Sequence, residues 1–280
     1  MTQSAPPQRR PIMGEMLKSL KEYYQGNRIS PLDFRCPHWE ACSKGNPKIT
    51  EAKSAFVGTG YEKGVLPRLL FLSLDPGESD REPEQRTVEH VRYLEEHKCD
   101  VHKLPQQRHW YRTHELAWIL LEKVGPIREE DSHLYFAHVN SVKCSMNNHK
   151  QAKPQLFKNC REYIGGEVTI LEPDILVTQG KWAKEAVENE KVFKILPGSE
   201  DNQVCSYIKW VHIGGKQTLW FHTYHPRNFG MFNKQRRYCF KNWAEYVYTS
   251  FSEMNRCRTT ASARTNKPLM RACRPCCLTK

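Results

Sequence analysis

The sequence predicts an α/β fold, a three-layer sandwich with a central, mostly parallel four-stranded sheet flanked by helices. Two observations carry this expectation. Short, almost unbroken apolar runs read as strands buried on both faces. Between them lie stretches whose apolar residues recur at helical spacing, and that alternation calls for a sheet covered by helices on both sides.

The elements follow in order. Met13, Met16, Leu17, Leu20 and Tyr24 mark a first helix, and a cysteine-bearing loop spans Arg35–Ser43. Leu69–Leu74 is an apolar run stopped by Asp75-Pro76-Gly77, a turn signal. Residues 79–108 are charged and read as an irregular surface excursion. A helix at about 111–124, a strand at about 133–141, a helix at about 154–171, a strand at 174–178 and a short helix at 181–189 come next. A hairpin pairs Ser206–Ile213 with Thr218–Tyr224, and Phe240, Trp243, Val247 and Phe251 mark a last amphipathic helix. The domain is expected over 12–254, with a polar tail at 1–11 and a basic, disordered tail at 255–280.

Composition narrows the setting. With 39% hydrophobic residues among 280 the chain can bury a core. No run reaches the roughly 18 apolar residues of a membrane span, and the N-terminal stretch has no apolar signal core. A monomer in a reducing, intracellular compartment, cytoplasmic or nuclear, is expected. There, 11 cysteines point to metal ligation or free thiols rather than disulfides. The net charge is +12, but Met254–Lys280 alone holds seven Lys/Arg and no acid. Charge permits a nucleic-acid partner without establishing one.

Ligands of open α/β sheets bind beyond the carboxyl ends of the strands. Four predicted strand ends carry polar residues there: Asp75, Asn140, Gln179 and His225. Four cysteines form a second constellation. Cys36 and Cys42 have five residues between them, and Cys144 and Cys160 lie sixteen positions apart. Four thiolates suit a 4Fe–4S cluster or a structural zinc, although composition alone favours buried free cysteines.

The neighbours of these residues add a resemblance. Asn140-Ser141-Val142-Lys143-Cys144, then Cys160, then Leu171-Glu172-Pro173-Asp174-Ile175-Leu176-Val177 with Gly180, resemble the iron–sulfur (family 4) uracil-DNA glycosylases. Asp75-Pro76-Gly77 and Tyr224-His225-Pro226 match that family's first and last motifs in order, over roughly residues 30–250. Two departures stand out. The family's first cysteine pair is C-x-x-C, whereas Cys36 and Cys42 are spaced C-x5-C. Its first motif reads Gly-Glu-Ala-Pro-Gly, whereas this chain places an acid, Asp75, directly before the proline.

The resemblance implies a DNA-repair enzyme that hydrolyses uracil from DNA and leaves an abasic site. It also implies a 4Fe–4S cluster on Cys36, Cys42, Cys144 and Cys160. A cluster-bearing binder of damaged DNA without turnover is the alternative. Cleaving the glycosidic bond creates a cationic sugar and an anionic base. Asp75 suits the water and the sugar cation, and His225 suits donation to the departing base. Asn140 can accept from uracil N3–H while donating to O4. Trp110 and Tyr111 stand equally where the family places the aromatic that holds a flipped base. Gly77, without a side chain, leaves room beside C5, and Arg227 and Asn228 begin a loop with the composition of a DNA wedge.

Overall fold

The computed structural model describes residues 14–77, 82–106, 108–147, 152–189, 191–196 and 208–262. The strands are β1 (Thr50–Ala52), β2 (Phe56–Val57), β3 (Leu69–Ser73), β4 (Phe136–Asn140), β5 (Cys144–Ser145), β6 (Ile175–Gln179), β7 (Phe193–Ile195), β8 (Ile208–Ile213) and β9 (Lys216–Thr223). The helices are α1 (Glu15–Gly26), α2 (Trp39–Ser43), α3 (Thr59–Lys63), α4 (Val88–His97), α5 (His109–Leu121), α6 (Pro154–Leu171), α7 (Lys181–Asn189), α8 (Phe229–Tyr238) and α9 (Phe240–Ser262).

The main sheet has the order β2-β4-β3-β6-β9-β8-β7. Its middle is the expected block of four parallel strands, β4-β3-β6-β9. Three antiparallel strands extend it: β2 on β4, and the β8–β7 ribbon on β9. These additions are two, three and six residues long, short enough that β2 and β7 leave no periodic signal in the sequence.

Side-chain alternation explains the three layers. Leu70, Leu72, Ala137, Val139, Leu176 and Trp220 point to one face and pack with α1, α6 and α7. Leu69, Phe71, Phe136, Ile175, Val177, Leu219 and Phe221 point to the other and pack with α5 and α9. Both sets are buried, which is why these strands read as continuous apolar runs. Leu116, Leu120, Trp243 and Val247 are fully buried in the second layer, each aliphatic one contributing about 1.5–3 kcal/mol relative to exposure.

One expectation is corrected. The charged stretch 79–108 is not an irregular excursion throughout, because α4 occupies Val88–His97. The Thr87 hydroxyl caps it by accepting from the His90 N–H at 3.3 Å, and Val88 and Val91 are buried. Its apolar stripe is only Val88, Val91 and Leu94 among charges, too thin to stand out. The predicted N-terminal tail lies outside the described residues, as do positions 206 and 207 of the hairpin; of the C-terminal tail expected over 255–280, residues 255–262 instead continue α9, and the rest lies outside the described residues.

Candidate active site

The register of the parallel block brings the strand ends into one row. Ser73 pairs with Asn140, Leu72 with Thr178, and Gln179 with Thr223. Asp75, Asn140, Gln179 and His225 therefore emerge along the same carboxyl edge. Gly180 permits the close approach. Its φ is +95°, and a Cβ there would meet His225 Cβ at 3.1 Å and Leu74 Cδ2 at 3.2 Å. A side chain would wedge apart the segments that carry Asp75 and His225.

Below that edge lies a buried polar net of which the sequence marked only Gln179. The Ser73 hydroxyl donates to Gln179 Oε1 at 2.5 Å, and His109 Nε2 lies 2.8 Å from the same oxygen. His109 Nε2 therefore carries its proton. His138 Nε2 lies 2.9 Å from Ser73 Oγ, whose own proton is committed to Gln179, so it too is a donor. Burial pushes the His109 imidazole down to about 4 and holds His138 well below 6.5. Both rings are neutral near pH 7.

His225 stacks on His109, with ring centroids 4.8 Å apart and planes 7° from parallel. Its Nδ1 accepts the Arg227 N–H at 3.2 Å, which leaves the proton on Nε2. Burial first, then the neighbouring His109 and Arg227, depress it to about 2. His225 is thus a neutral hydrogen-bond donor.

Asp75 sits in the turn after β3. Its Oδ1 accepts from the Gly77 N–H at 3.0 Å, and the Ala152 N–H also reaches the carboxylate. Burial raises its pKa, while those two donors and the Arg227 guanidinium oppose the rise. Gly77 has φ +70°, a left-handed turn that glycine adopts without strain.

These groups surround a cavity of about 810 Å³. Asp75, Gly77, Asn140, Trp110 and Arg227 line it, as do His109 and His138. Lys53, Lys98 and Arg108 add positive charge to its wall. One half-buried acid, Glu95, also lines it; burial raises its carboxyl, which faces Lys53 and the Trp110 indole. Trp110 also packs edge-on against Phe56, Phe136 and His138. Of the two candidate aromatics, Trp110 borders the cavity. Tyr111 does not, and lies instead beside Arg112, with Glu129, Glu115 and Arg236 nearby. His225 and Asn228 are not in the lining. His225 is in contact with it through His109, and Asn228 is exposed just before α8. The following Phe229 is 43% exposed and reaches the cavity rim.

The model of the uracil DNA glycosylase superfamily matches residues 63–247, from the end of α3 into α9. The chain belongs to the uracil DNA glycosylase superfamily. That membership assigns DNA glycosylase chemistry, hydrolysis of a base from its sugar, with DNA as the substrate. No curated protein matches the chain. The matched span of this glycosylase contains Asp75, Asn140, His225 and the whole polar net, and it contains Cys144 and Cys160 but begins after Cys36 and Cys42.

The four cysteines of the glycosylase share one neighbourhood on the α1/α6 side of the sheet. Cys42, Cys144 and Cys160 are buried, Cys36 is half-buried, and all four are free thiols. Burial raises the Cys144 thiol, and Cys160, Cys36 and Cys42 each raise it further. Lys143 N–H points at Cys160 Sγ at 3.5 Å, and Asn159 Nδ2 lies 3.3 Å from Cys42 Sγ. Among the described residues, no group of three or more His, Cys, Asp or Glu side chains is placed to hold a metal ion as it stands.

No described helix is long and apolar enough to cross a membrane.

Proposed function

We propose that this glycosylase hydrolyses the N-glycosidic bond of uracil in DNA and leaves an abasic site. The observation that carries the reading is the convergence of Asp75, Asn140, the His109–His225 stack and Arg227 at one cavity on the carboxyl edge of the sheet. Bond cleavage places positive charge on the sugar and negative charge on the base. A half-buried carboxylate held by two main-chain N–H groups is suited to the first, and to orienting water. A neutral imidazole with its proton on Nε2 is suited to the second, since it donates to the base oxygen without needing to titrate. Asn140 reads the imide edge of uracil; cytosine presents the opposite donor pattern there. Arg227, Lys98 and Arg108 meet the backbone phosphates, and Phe229 fills the gap left in the stack.

A 4Fe–4S cluster on Cys36, Cys42, Cys144 and Cys160 belongs to the same proposal. Support comes from the donor set: four free thiols from the segment before α2, α2 itself, β5 and α6, all within electrostatic reach of Cys144. A single zinc draws its four sulfurs to about 2.3 Å from one point, whereas a cluster binds each to a different iron and keeps them further apart. Bound there, the cluster would brace the fold and would take no part in the hydrolytic step.

The test is base release from oligonucleotides containing uracil, a thymine mismatch or hypoxanthine, single- and double-stranded. Uracil is expected to be released fastest. Binding to uracil-containing DNA without release of any base would instead mark a non-catalytic damage-binding protein.

A further inference from the structure

Behind Asn140 lies a buried ion pair that the proposed chemistry does not use. Lys143 and Glu167 are 3% and 1% exposed and contact each other. Lys143 Nζ also donates to the Asn140 carbonyl at 2.5 Å. Glu167 accepts from the Tyr24 hydroxyl at 2.7 Å, and Tyr24 in turn accepts from the Ala55 N–H at 3.1 Å. The pair therefore joins α6 and α1 to the main chain of the last residue of β4.

On its other side the same segment is tied to the strand leading to Asp75. Ser141 N–H and its hydroxyl donate to the Ser73 carbonyl at 2.9 and 2.6 Å, and Val142 N–H donates to the Leu74 carbonyl at 2.8 Å. Asn140 is thus held between β3 and the buried pair, two residues in sequence from the turn bonded beside Asp75. A buried ion pair is weak support for stability, because apolar residues of similar size often serve as well. Its presence is better explained by the hydrogen bonds an apolar pair could not make, above all the one from Lys143 to the Asn140 carbonyl.

We propose that Lys143, braced by Glu167 and Tyr24, is a positioning residue that fixes the main chain of Asn140 and so sets the alignment of the base reader with Asp75. This rests on Asn140 being the base reader of the proposed function. Lys143 itself does not touch the base.

The test uses the full chain in single-turnover release of uracil. Lys143→Met alone strands the Glu167 charge, and both melting temperature and rate should fall. The double variant Lys143→Met/Glu167→Gln removes both charges and leaves Tyr24 an amide oxygen to donate to. It should recover most of the melting temperature, while its rate stays down on the order of 10²-fold, the scale of a misplaced reactive contact. Adding Asn140→Ala to the double variant should cost far less than adding it to wild type. A double variant that regains both stability and wild-type rate overturns the proposal. If the double variant is not restabilised, the Asn140→Ala comparison is run below its melting temperature, and an equal cost in both backgrounds overturns the proposal too. A different failure is separable: if Asn140→Ala leaves the wild-type rate intact, the base-reader assignment falls first.

Discussion

His225 lies flat against His109, 4.8 Å away and nearly parallel, and His109 is in turn fixed by Gln179 at the end of β6. The orientation of the His225 ring, proposed above as the donor to the departing base, is therefore set by a ring on α5 and not by its own loop alone. Replacing His109 by Ala should slow base release on the order of 10²-fold through lost alignment of His225, with little change in DNA affinity. The double variant His109→Ala/His225→Ala should be no slower than the worse single one. Additive losses, measured by single-turnover kinetics, would show that the two rings act separately.

The same burial predicts the pH dependence. His109 and His222 are depressed from 6.5 to about 4, and His225 to about 2. Each is neutral in the fold and binds a proton more readily once unfolded. Stability is then full above 6.5 and declines as pH falls toward 4, with His225 extending the loss lower. Denaturant titration at stepped pH measures this.

Activity should show no histidine limb near 6.5. Its acid limb should belong to Asp75 and lie above the ordinary carboxylate value of 3.8, because burial raises that group. Arg227 opposes the rise, so Arg227→Ala should move the limb still higher. The pH profile of kcat/KM in the variant reads that shift, whatever affinity is lost.

The cysteine proposal predicts a brown protein with about four irons per chain when purified anaerobically. Cys144→Ala and Cys160→Ala should lose the iron and lower the melting temperature. Cys273→Ala, Cys276→Ala or Cys277→Ala should leave iron content unchanged. Iron that follows those C-terminal residues and survives Cys144→Ala contradicts the assignment.

Gly77 bears on substrate breadth. Among the described residues beyond its chain neighbours, a Cβ there would have only Arg227 Nη2 within 4 Å, at 3.7 Å, so there is open space beside it. Uracil should be released best, and 5-substituted uracils more slowly, since a pocket that merely admits a methyl discriminates by only about 1–3 kcal/mol. Gly77→Tyr should suppress the 5-substituted substrates more than uracil. At φ +70° any L side chain also costs roughly 1–2 kcal/mol of strain, so Gly77→Ala is the reference variant. Wild type that cuts uracil but leaves 5-hydroxymethyluracil intact would mean that another residue closes the pocket.

The sequence revealed those parts of the site that end strands. Leu69–Ser73 and Ile175–Gln179 are buried on both faces, so their apolar runs stand out; Asp75 follows the first and Gln179 ends the second. His138 was hidden because one polar residue inside a buried strand looks like noise in a hydrophobic pattern, and its role depends on Ser73, 65 positions away. His109 opens α5 beside Trp110 and Tyr111, and nothing local shows that His109 and Trp110, but not Tyr111, line the cavity. Helix α4 was missed for a related reason: its cavity-side stripe of Val91 and Leu94 is embedded in charge that solvent and the cavity both accept. The Lys143–Glu167 pair joins residues 24 apart, and neither spacing nor composition marks it.

We propose that Asp75, at the carboxyl edge of the sheet, drives hydrolysis of uracil from DNA. Single-turnover release of uracil, compared between wild type and Asp75→Ala with DNA affinity measured in parallel, tests it most directly. The variant should bind uracil-containing DNA nearly as well as wild type but release the base more slowly by on the order of 10²-fold or more. An Asp75→Ala protein that releases uracil at close to the wild-type rate would contradict it.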